Sequence, residues 1–296
     1  MHALTGTYTA IVTPFRNGAV DEAAFHRLVR LQIRGGVDGI VPVGTTGESP
    51  TLSFDEHIRV IELAVRYAAG KLKVIAGTGG NSTSEAIYLT QAAEKAGADA
   101  SLQVAPYYNK PTQEGLCKHF EAVARATKLP IVLYSIPSRC GVEIGVDTVE
   151  RLARSAANIV GIKEAGGNPD RVSQLRARLG STFTILSGDD SLTLPFMAVG
   201  AQGVISVASN VIPRQVAEMV RAFLNGRAGP AQRLHLRYFQ FYKDLFIETN
   251  PGPIKAALAM QGLIAEELRL PLVPISTASR ERLKATMKAC RIPTSV

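Results

Sequence analysis

The sequence predicts a (β/α)8 TIM barrel with a C-terminal helical appendage, the barrel over residues 1–225 and the helical segment over 226–296. Three observations carry that expectation. Short apolar runs rich in β-branched residues alternate with longer helical patterns eight times before residue 225, and parallel neighbours need such crossovers. Most runs are near-continuously apolar over about five residues, as strands covered on both faces are. Beyond residue 226 no clear strand pattern remains. Eight is the number that closes a barrel of this kind. A doubly wound open sheet is the competing topology, but no GxGxxG follows the first run, which weakens its dinucleotide-binding form.

In chain order, the first strand is expected at Tyr8–Thr13, followed by a helix over Asp21–Arg34 with Phe25, Leu28, Val29 and Ile33 at helical spacing. A strand at Gly39–Val43 leads to a helix at Phe54–Ala69 carrying Ile58, Ile61 and Val65. The strand Lys73–Gly77 precedes a helix that Ser82 or Ser84 can cap and that runs to Ala96. Strands at Ala100–Val104, Ile131–Ser135, Ile159–Glu164, Phe183–Ser187 and Gly203–Val207 are each followed by a helix, at 113–127, 146–155, 169–179, 191–199 and 214–225. Glycine tends to close a helix, as at Gly35-Gly36, Gly97, Gly180 and Gly200. In the appendage, helices are expected at Gln232–Phe246, 254–261 and 277–290.

Composition excludes several classes. An apolar share of 46% against 20% charged residues rules out disorder as the main state. No apolar run approaches the roughly 20 residues that span a bilayer, and MHALTGTYTAIVTPF has neither a basic leader nor a small-residue cleavage site. Cys117, Cys140 and Cys290 are odd in number and far apart, which suits a reducing cytosol and matches no zinc spacing. A cytoplasmic protein with no membrane partner is expected. Of the net charge of +8, residues 227–296 supply +6, from 11 Lys/Arg against 5 Asp/Glu. A nucleic-acid surface or the solvated faces of basic helices would each explain this. Arg233, Arg237 and Lys243 do interleave with aromatics, but Leu234, Tyr238, Phe241 and Leu245 fall on one helical stripe. That favours a packed helix and no nucleic acid.

Barrel enzymes place their chemistry at the C-terminal ends of the strands. There the sequence offers Gly44-Thr45-Thr46-Gly47-Glu48, Pro106-Tyr107-Tyr108-Asn109, Tyr134-Ser135 with Pro137-Ser138-Arg139, Lys163-Glu164, and Ser187-Gly188-Asp189-Asp190. Strand alternation sets Ile159, Gly161 and Lys163 on one side and Val160 and Ile162 on the other. A lysine inside a barrel is costly unless paired or neutral. Lys163 is therefore an ion-paired or snorkelling lysine, or a Schiff-base lysine whose amine burial makes neutral and nucleophilic. Tyr134 reads as a proton shuttle or a core aromatic. Gly44–Gly47 reads as a carboxylate-binding turn or a plain loop. Arg139 reads as a carboxylate clamp or a surface arginine. Asp189 and Asp190 argue against a phosphorylated substrate at the seventh strand. No group of residues has metal-ligand spacing, and neither a GxSxG elbow nor a P-loop is present.

GTTGES (44–49), PYYNKPTQEGL (106–116), LYSIPSRCG (133–141), GIKEAGGN (161–168), LSGDD (186–190), GVISVASN (203–210) and LRLPLVPI (268–275) together resemble the dihydrodipicolinate synthase family. That family lies within the pyruvate-dependent class I aldolases that include N-acetylneuraminate lyase. The resemblance implies condensation of pyruvate with L-aspartate-4-semialdehyde in lysine and diaminopimelate biosynthesis, with no cofactor beyond a covalent imine of pyruvate on Lys163. It implies that Tyr134, Thr46 and Tyr108 form a proton relay, with Tyr108 reaching a neighbouring subunit's site in a tight dimer, usually within a tetramer. It also implies that Thr45 and Thr46 hold the pyruvate carboxylate, that Arg139 holds the semialdehyde carboxylate, and that Gly188 and Ile205 complete the substrate site.

Ser135 and Cys140 depart from the Asn and Thr common in that family, and both touch on rate and aldehyde preference. Ser49, His57, Asn81, Glu85 and Tyr107 match the polar residues of the family's L-lysine inhibitory pocket. Pro50 and Phe54 replace the Ala and His of well-inhibited members, so weak or absent feedback is expected. Two alternative functions remain at this point. One is a related aldolase or dehydratase of the N-acetylneuraminate lyase or sugar-acid type. Arg139 speaks against it, since a polyol calls for neutral hydrogen-bond partners. The other is a non-catalytic binding protein on the same scaffold, which retention of the lysine, both threonines and both tyrosines disfavours.

Overall fold

The computed structural model describes residues 4–294; Met1–Ala3 and residues 295–296, the outer ends of the two expected segments, lie outside the described residues. Eight strands close into one barrel: β1 (Gly6–Ala10), β2 (Gly39–Val41), β3 (Lys73–Gly77), β4 (Ala100–Val104), β5 (Ile131–Ser135), β6 (Ile159–Glu164), β7 (Thr184–Ser187) and β8 (Gly203–Ser206). Each pairs in parallel with its sequence neighbours, and β1 closes the ring against both β2 and β8.

The intervening helices are α1 (Glu22–Gly35), α2 (Phe54–Ala68), α3 (Thr83–Ala96), α4 (Gln113–Arg125), α5 (Val146–Ser155), α6 (Pro169–Leu179), α7 (Thr193–Ala198) and α8 (Pro213–Leu224). Local chemistry sets their ends. Asp21 accepts from Ala24 N at the start of α1, and Ser53 with Glu56 forms a reciprocal capping box on α2. Ser82 stands at the start of α3, but its hydroxyl bonds the Ser84 hydroxyl at 3.0 Å rather than a free backbone N–H.

The first strand lies slightly upstream of its expected position. Gly6 N donates to Gln202 O at 2.9 Å and opens the ladder, whereas Val12 N turns to the Asn210 side chain at 3.2 Å. Ile11 and Val12 are therefore buried outside the ring, in the layer under the helices. A small antiparallel hairpin, Phe15–Arg16 with Ala19–Val20, follows β1; the expected topology lacks it. Its turn, Asn17-Gly18, has φ of 53° and 80°, the pair of positive angles a two-residue hairpin needs.

Tyr8, Ala10, Val41, Ile75, Leu102, Val132, Leu186 and Ile205 fill the barrel interior. Alternation along β6 departs from the expected one. Ile131 pairs with Ile159, yet Val132 pairs with Gly161, so the register slips by one residue. Ile159 faces the helical layer and Val160 packs on the interior cluster, while Lys163 keeps its inward place beside Tyr134. The irregularity rotates the lower half of β6 and leaves its functional end in phase.

Beyond the barrel, α9 (Ala228–Asp244) packs on α8, and α10 (Gly252–Met260) and α11 (Thr277–Ala289) complete the chain. Tyr238, Phe241 and Leu245 are buried in the same apolar cluster as the barrel's helical layer. The aromatic stripe of α9 is thus a packing face.

Candidate active site

The site begins with a strained turn after β2. Val43 and Glu48 both lie in the left-handed region, at φ of 50° and 55°, on either side of a single helical turn at Thr45–Gly47. A β-branched residue adopts that conformation only at a cost, which surrounding contacts must hold. Here the Thr13 hydroxyl donates to Gly47 O at 2.7 Å and Gly47 N donates to Gly44 O at 3.0 Å. Gly77 on β3 lets the turn approach, because a Cβ there would sit 2.6 Å from Val43 O. The turn borders a cavity of about 210 Å3 at the C-terminal ends of the strands, walled by Thr45, Leu102, Tyr134, Arg139 and Cys140 among others.

Lys163, at the end of β6, is 7% exposed, and its Nζ lies 4.2 Å from the centre of the Tyr134 ring. Its stem passes over Gly188, where a Cβ would sit 3.1 Å from Lys163 Cε. Among the described residues it has no ion-pair partner. The adjacent Glu164 turns to Arg171 at 2.7 Å instead, in a pair that is buried on both sides. Lys163 is therefore neither snorkelling nor salt-bridged. Burial pushes its ammonium down to about 7; Asp190 opposes that shift and Arg139 adds to it.

Tyr134 is buried, and desolvation pushes its phenol up to about 12, with Thr45 and Arg139 pulling the other way. Thr46 is buried as well, but its hydroxyl oxygen accepts from Asn250 Nδ2 at 3.0 Å. Arg139 stands on a one-turn helix, Pro137–Cys140. Its guanidinium is exposed at the cavity and donates from Nη2 to Asn250 O at 3.2 Å. Ile205 belongs to the interior cluster.

The acidic pair after β7 divides its work. Asp189 Oδ1 accepts from Ser191 N and its hydroxyl, at 2.7 and 2.8 Å. Asp190 accepts from the Ser206 hydroxyl and from the N–H groups of Val207 and Ala208 at 2.9 and 3.0 Å, and burial raises it to about 6. Of the two departures from the family pattern, Ser135 is wholly buried and accepts from Ile144 N at 3.4 Å, whereas Cys140 lines the cavity. Burial pushes the Cys140 thiol up to about 11, away from reactivity. No cluster able to hold a metal ion occurs among the described residues.

Tyr108 does not join the cavity. It is 90% exposed, with a φ of 73° that only surrounding contacts would normally maintain. A second cavity of about 270 Å3 gathers Ser49, His57, Glu85 and Tyr107 with Pro50 and Phe54. Asn81 is not among its walls but donates to Tyr107 O at 3.2 Å. The two cavities share Ser49, Pro50, Gly79 and Tyr107 as walls.

Sequence reasoning missed three residues. Arg171 neutralises the buried Glu164. Lys255, wholly buried on α10, pairs with Glu48 and donates to Glu267 O at 2.9 Å. Asn250 touches both Thr46 and Arg139. For Asn250 and Lys255 no local pattern could have sufficed, because their partners in the turn lie 204 and 207 residues away.

A family model described as the Dihydrodipicolinate synthetase family matches residues 3–290. A protein of Aquifex aeolicus (strain VF5) named 4-hydroxy-tetrahydrodipicolinate synthase is 52% identical, over 97% of this chain and 98% of that protein. A solved structure of 4-hydroxy-tetrahydrodipicolinate synthase from Methylacidiphilum fumariolicum SolV superposes with a TM-score of 0.97 at 57% identity, covering 98% of this chain and 96% of that one. Another, described as the first monomeric dihydrodipicolinate synthase variant, superposes at 0.95 with 42% identity, covering 98% and 97%.

Proposed function

The chain belongs to the Dihydrodipicolinate synthetase family, and from that premise we propose that it condenses pyruvate with L-aspartate-4-semialdehyde to 4-hydroxy-tetrahydrodipicolinate, in lysine and diaminopimelate biosynthesis, through an imine on Lys163. The observation that carries the mechanism is a buried lysine with no ion-pair partner among the described residues, beside Tyr134, which walls the cavity. An amine near 7 is about half neutral at neutral pH, against about one part in a thousand for an ordinary lysine.

The neutral Nζ adds to pyruvate C2. Tyr134 donates its phenolic proton to the departing carbinolamine hydroxyl, water leaves, and the imine forms. The imine makes a C3 proton acidic, and its loss gives an enamine. That enamine attacks the semialdehyde's aldehyde carbon, and the new alkoxide takes up a proton. The substrate's own amino group then displaces Lys163 from C2, which closes the ring and frees the amine. No step needs a cofactor. Thr45 and Thr46 hold the pyruvate carboxylate, and Arg139, exposed at the cavity mouth, holds the semialdehyde carboxylate bidentately. Gly188 gives the lysine stem room, and Ile205 walls the interior behind it.

Tyr108 completes the relay of Tyr134 and Thr46 from a neighbouring subunit, so the working unit is a tight dimer; its exposure in the single chain supports that reading. The second cavity, with Pro50 and Phe54 in its wall, gives weak feedback by L-lysine or none. Three buried free thiols support a reducing, cytosolic setting. No helix among the described residues is long and apolar enough to cross a membrane.

The test is reductive trapping. Pyruvate with borohydride should add one stable mass, mapped by peptide mass spectrometry to Lys163. A label elsewhere, or none, rejects the imine. In a coupled assay the trapped-competent enzyme should accept aspartate semialdehyde far better than N-acetylmannosamine.

A further inference from the structure

We infer that Asn250 is a positioning residue for this reaction: its side chain sets the direction of the Thr46 hydroxyl, and its backbone carbonyl seats the Arg139 guanidinium. The inference rests on the imine reading above and deepens it. Its starting point is that one residue of the C-terminal segment joins two functional groups carried on different strands' loops. Asn250 Nδ2 donates to Thr46 Oγ1 at 3.0 Å, and Arg139 Nη2 donates to Asn250 O at 3.2 Å.

A hydroxyl has one proton to give and two lone pairs to accept with. When the amide donates to Thr46 Oγ1, it occupies a lone pair and leaves the hydroxyl hydrogen free to point elsewhere. Thr46, next to Thr45 of the cavity wall, then keeps its hydrogen to give, ready to serve the proton relay or a carboxylate oxygen. An acceptor in place of the amide N–H would draw that hydrogen away from the site.

Two further observations separate this from packing. Asn250 is buried, and its Oδ1 has no protein hydrogen-bond partner among the described residues. An amide half-satisfied in the interior is a burden that an apolar side chain of similar size would remove, so its presence calls for a use. The segment that carries it is also anchored independently. Two residues on, α10 begins, and its Lys255 pairs with Glu48, the residue that ends the Thr45–Gly47 turn. The amide and the hydroxyl it addresses are thus fixed to one another at both ends, which is what a geometric role requires.

The experiment compares Asn250→Ala and Asn250→Asp in the full chain. Asn250→Ala should lower kcat about tenfold and Asn250→Asp about a hundredfold, since the carboxylate captures the Thr46 proton. Borohydride trapping at Lys163 should stay complete in both. The KM for semialdehyde should stay within about twofold in Asn250→Ala, because the backbone carbonyl under Arg139 remains. In a Thr46→Val background Asn250→Ala should cost nothing more, since residues acting through one group are not additive. The inference is overturned by unchanged kcat in both variants, by loss of trapping together with both KM values and the melting temperature, or by additive losses with Thr46→Val. The imine reading is judged separately, by trapping in the unsubstituted chain.

Discussion

Lys163 draws its reactivity from what it lacks. Its neighbour Glu164 is spoken for by Arg171, and the charges that act on it, Asp190 and Arg139, do so in opposite senses. Desolvation therefore dominates, and for a base it favours the neutral form. The amine keeps its proton below about 7 and loses it above, so imine formation should rise as pH rises through that value. We expect kcat/KM for pyruvate, which reports the free enzyme, to fall about tenfold per pH unit below the inflection and to level off above it. Asp190 favours the ammonium, so Asp190→Asn should move the inflection to lower pH. A pH profile in steady state decides this; an inflection near that of an ordinary lysine would mean the amine is wet. Gly188 belongs to the same account, for the space beneath the lysine stem exists only because no Cβ fills it.

At the scale of elements, the strained turn after β2 is held by a buried ion pair from α10. Lys255 and Glu48 have fully buried side chains; Glu48 also accepts from Arg269 N at 3.1 Å, and Lys255 Nζ lies 4.2 Å from the Phe15 ring centre. Removing one partner strands the other charge, at a cost of about 3–5 kcal/mol, whereas a matched neutral pair is far less costly. Lys255→Met should therefore lower stability by about that amount in urea unfolding, and adding Glu48→Gln should recover part of it. A Lys255→Met chain as stable as its parent would show that the pair is incidental. What the sequence makes legible ends near this point. Apolar runs and helical stripes locate all eight barrel strands and the α9 packing face, because those signals repeat within a few residues. The Asn17-Gly18 turn carries a two-residue hairpin signal as well, but the expected topology missed it. The slip in β6 was not, since alternation assumes an unbroken pleat. Nor were Asn250 and Lys255, whose meaning depends on a closed ring bringing distant chain together.

At the scale of the whole molecule, Thr45, Tyr134 and Arg139 wall the cavity, and Lys163 is buried directly beside Tyr134. Lys163, Tyr134, Thr45 and Arg139 converge within a single chain, while Tyr108 projects from it with a left-handed backbone and almost no cover. Phe54, which walls the second cavity together with Tyr107, and Tyr88 are about half exposed and meet edge to face at 5.9 Å. An aromatic edge of this kind is what a surface shared between two copies would bury. If Tyr108 serves a partner's relay, two separately inactive chains should complement each other. A Lys163→Ala chain still carries Tyr108, and a Tyr108→Ala chain still carries Lys163. Mixed and reassociated in equal amounts, they form hybrids with one whole site, and in a two-fold dimer about a quarter of the parent activity should return. The assay needs only the two purified chains, a dissociation and reassociation step, and the turnover of each alone. Recovery would mean that the relay crosses between subunits. Mixtures no more active than their parts, with hybrids demonstrably formed, would return Tyr108 to its own chain and leave the catalytic unit a monomer.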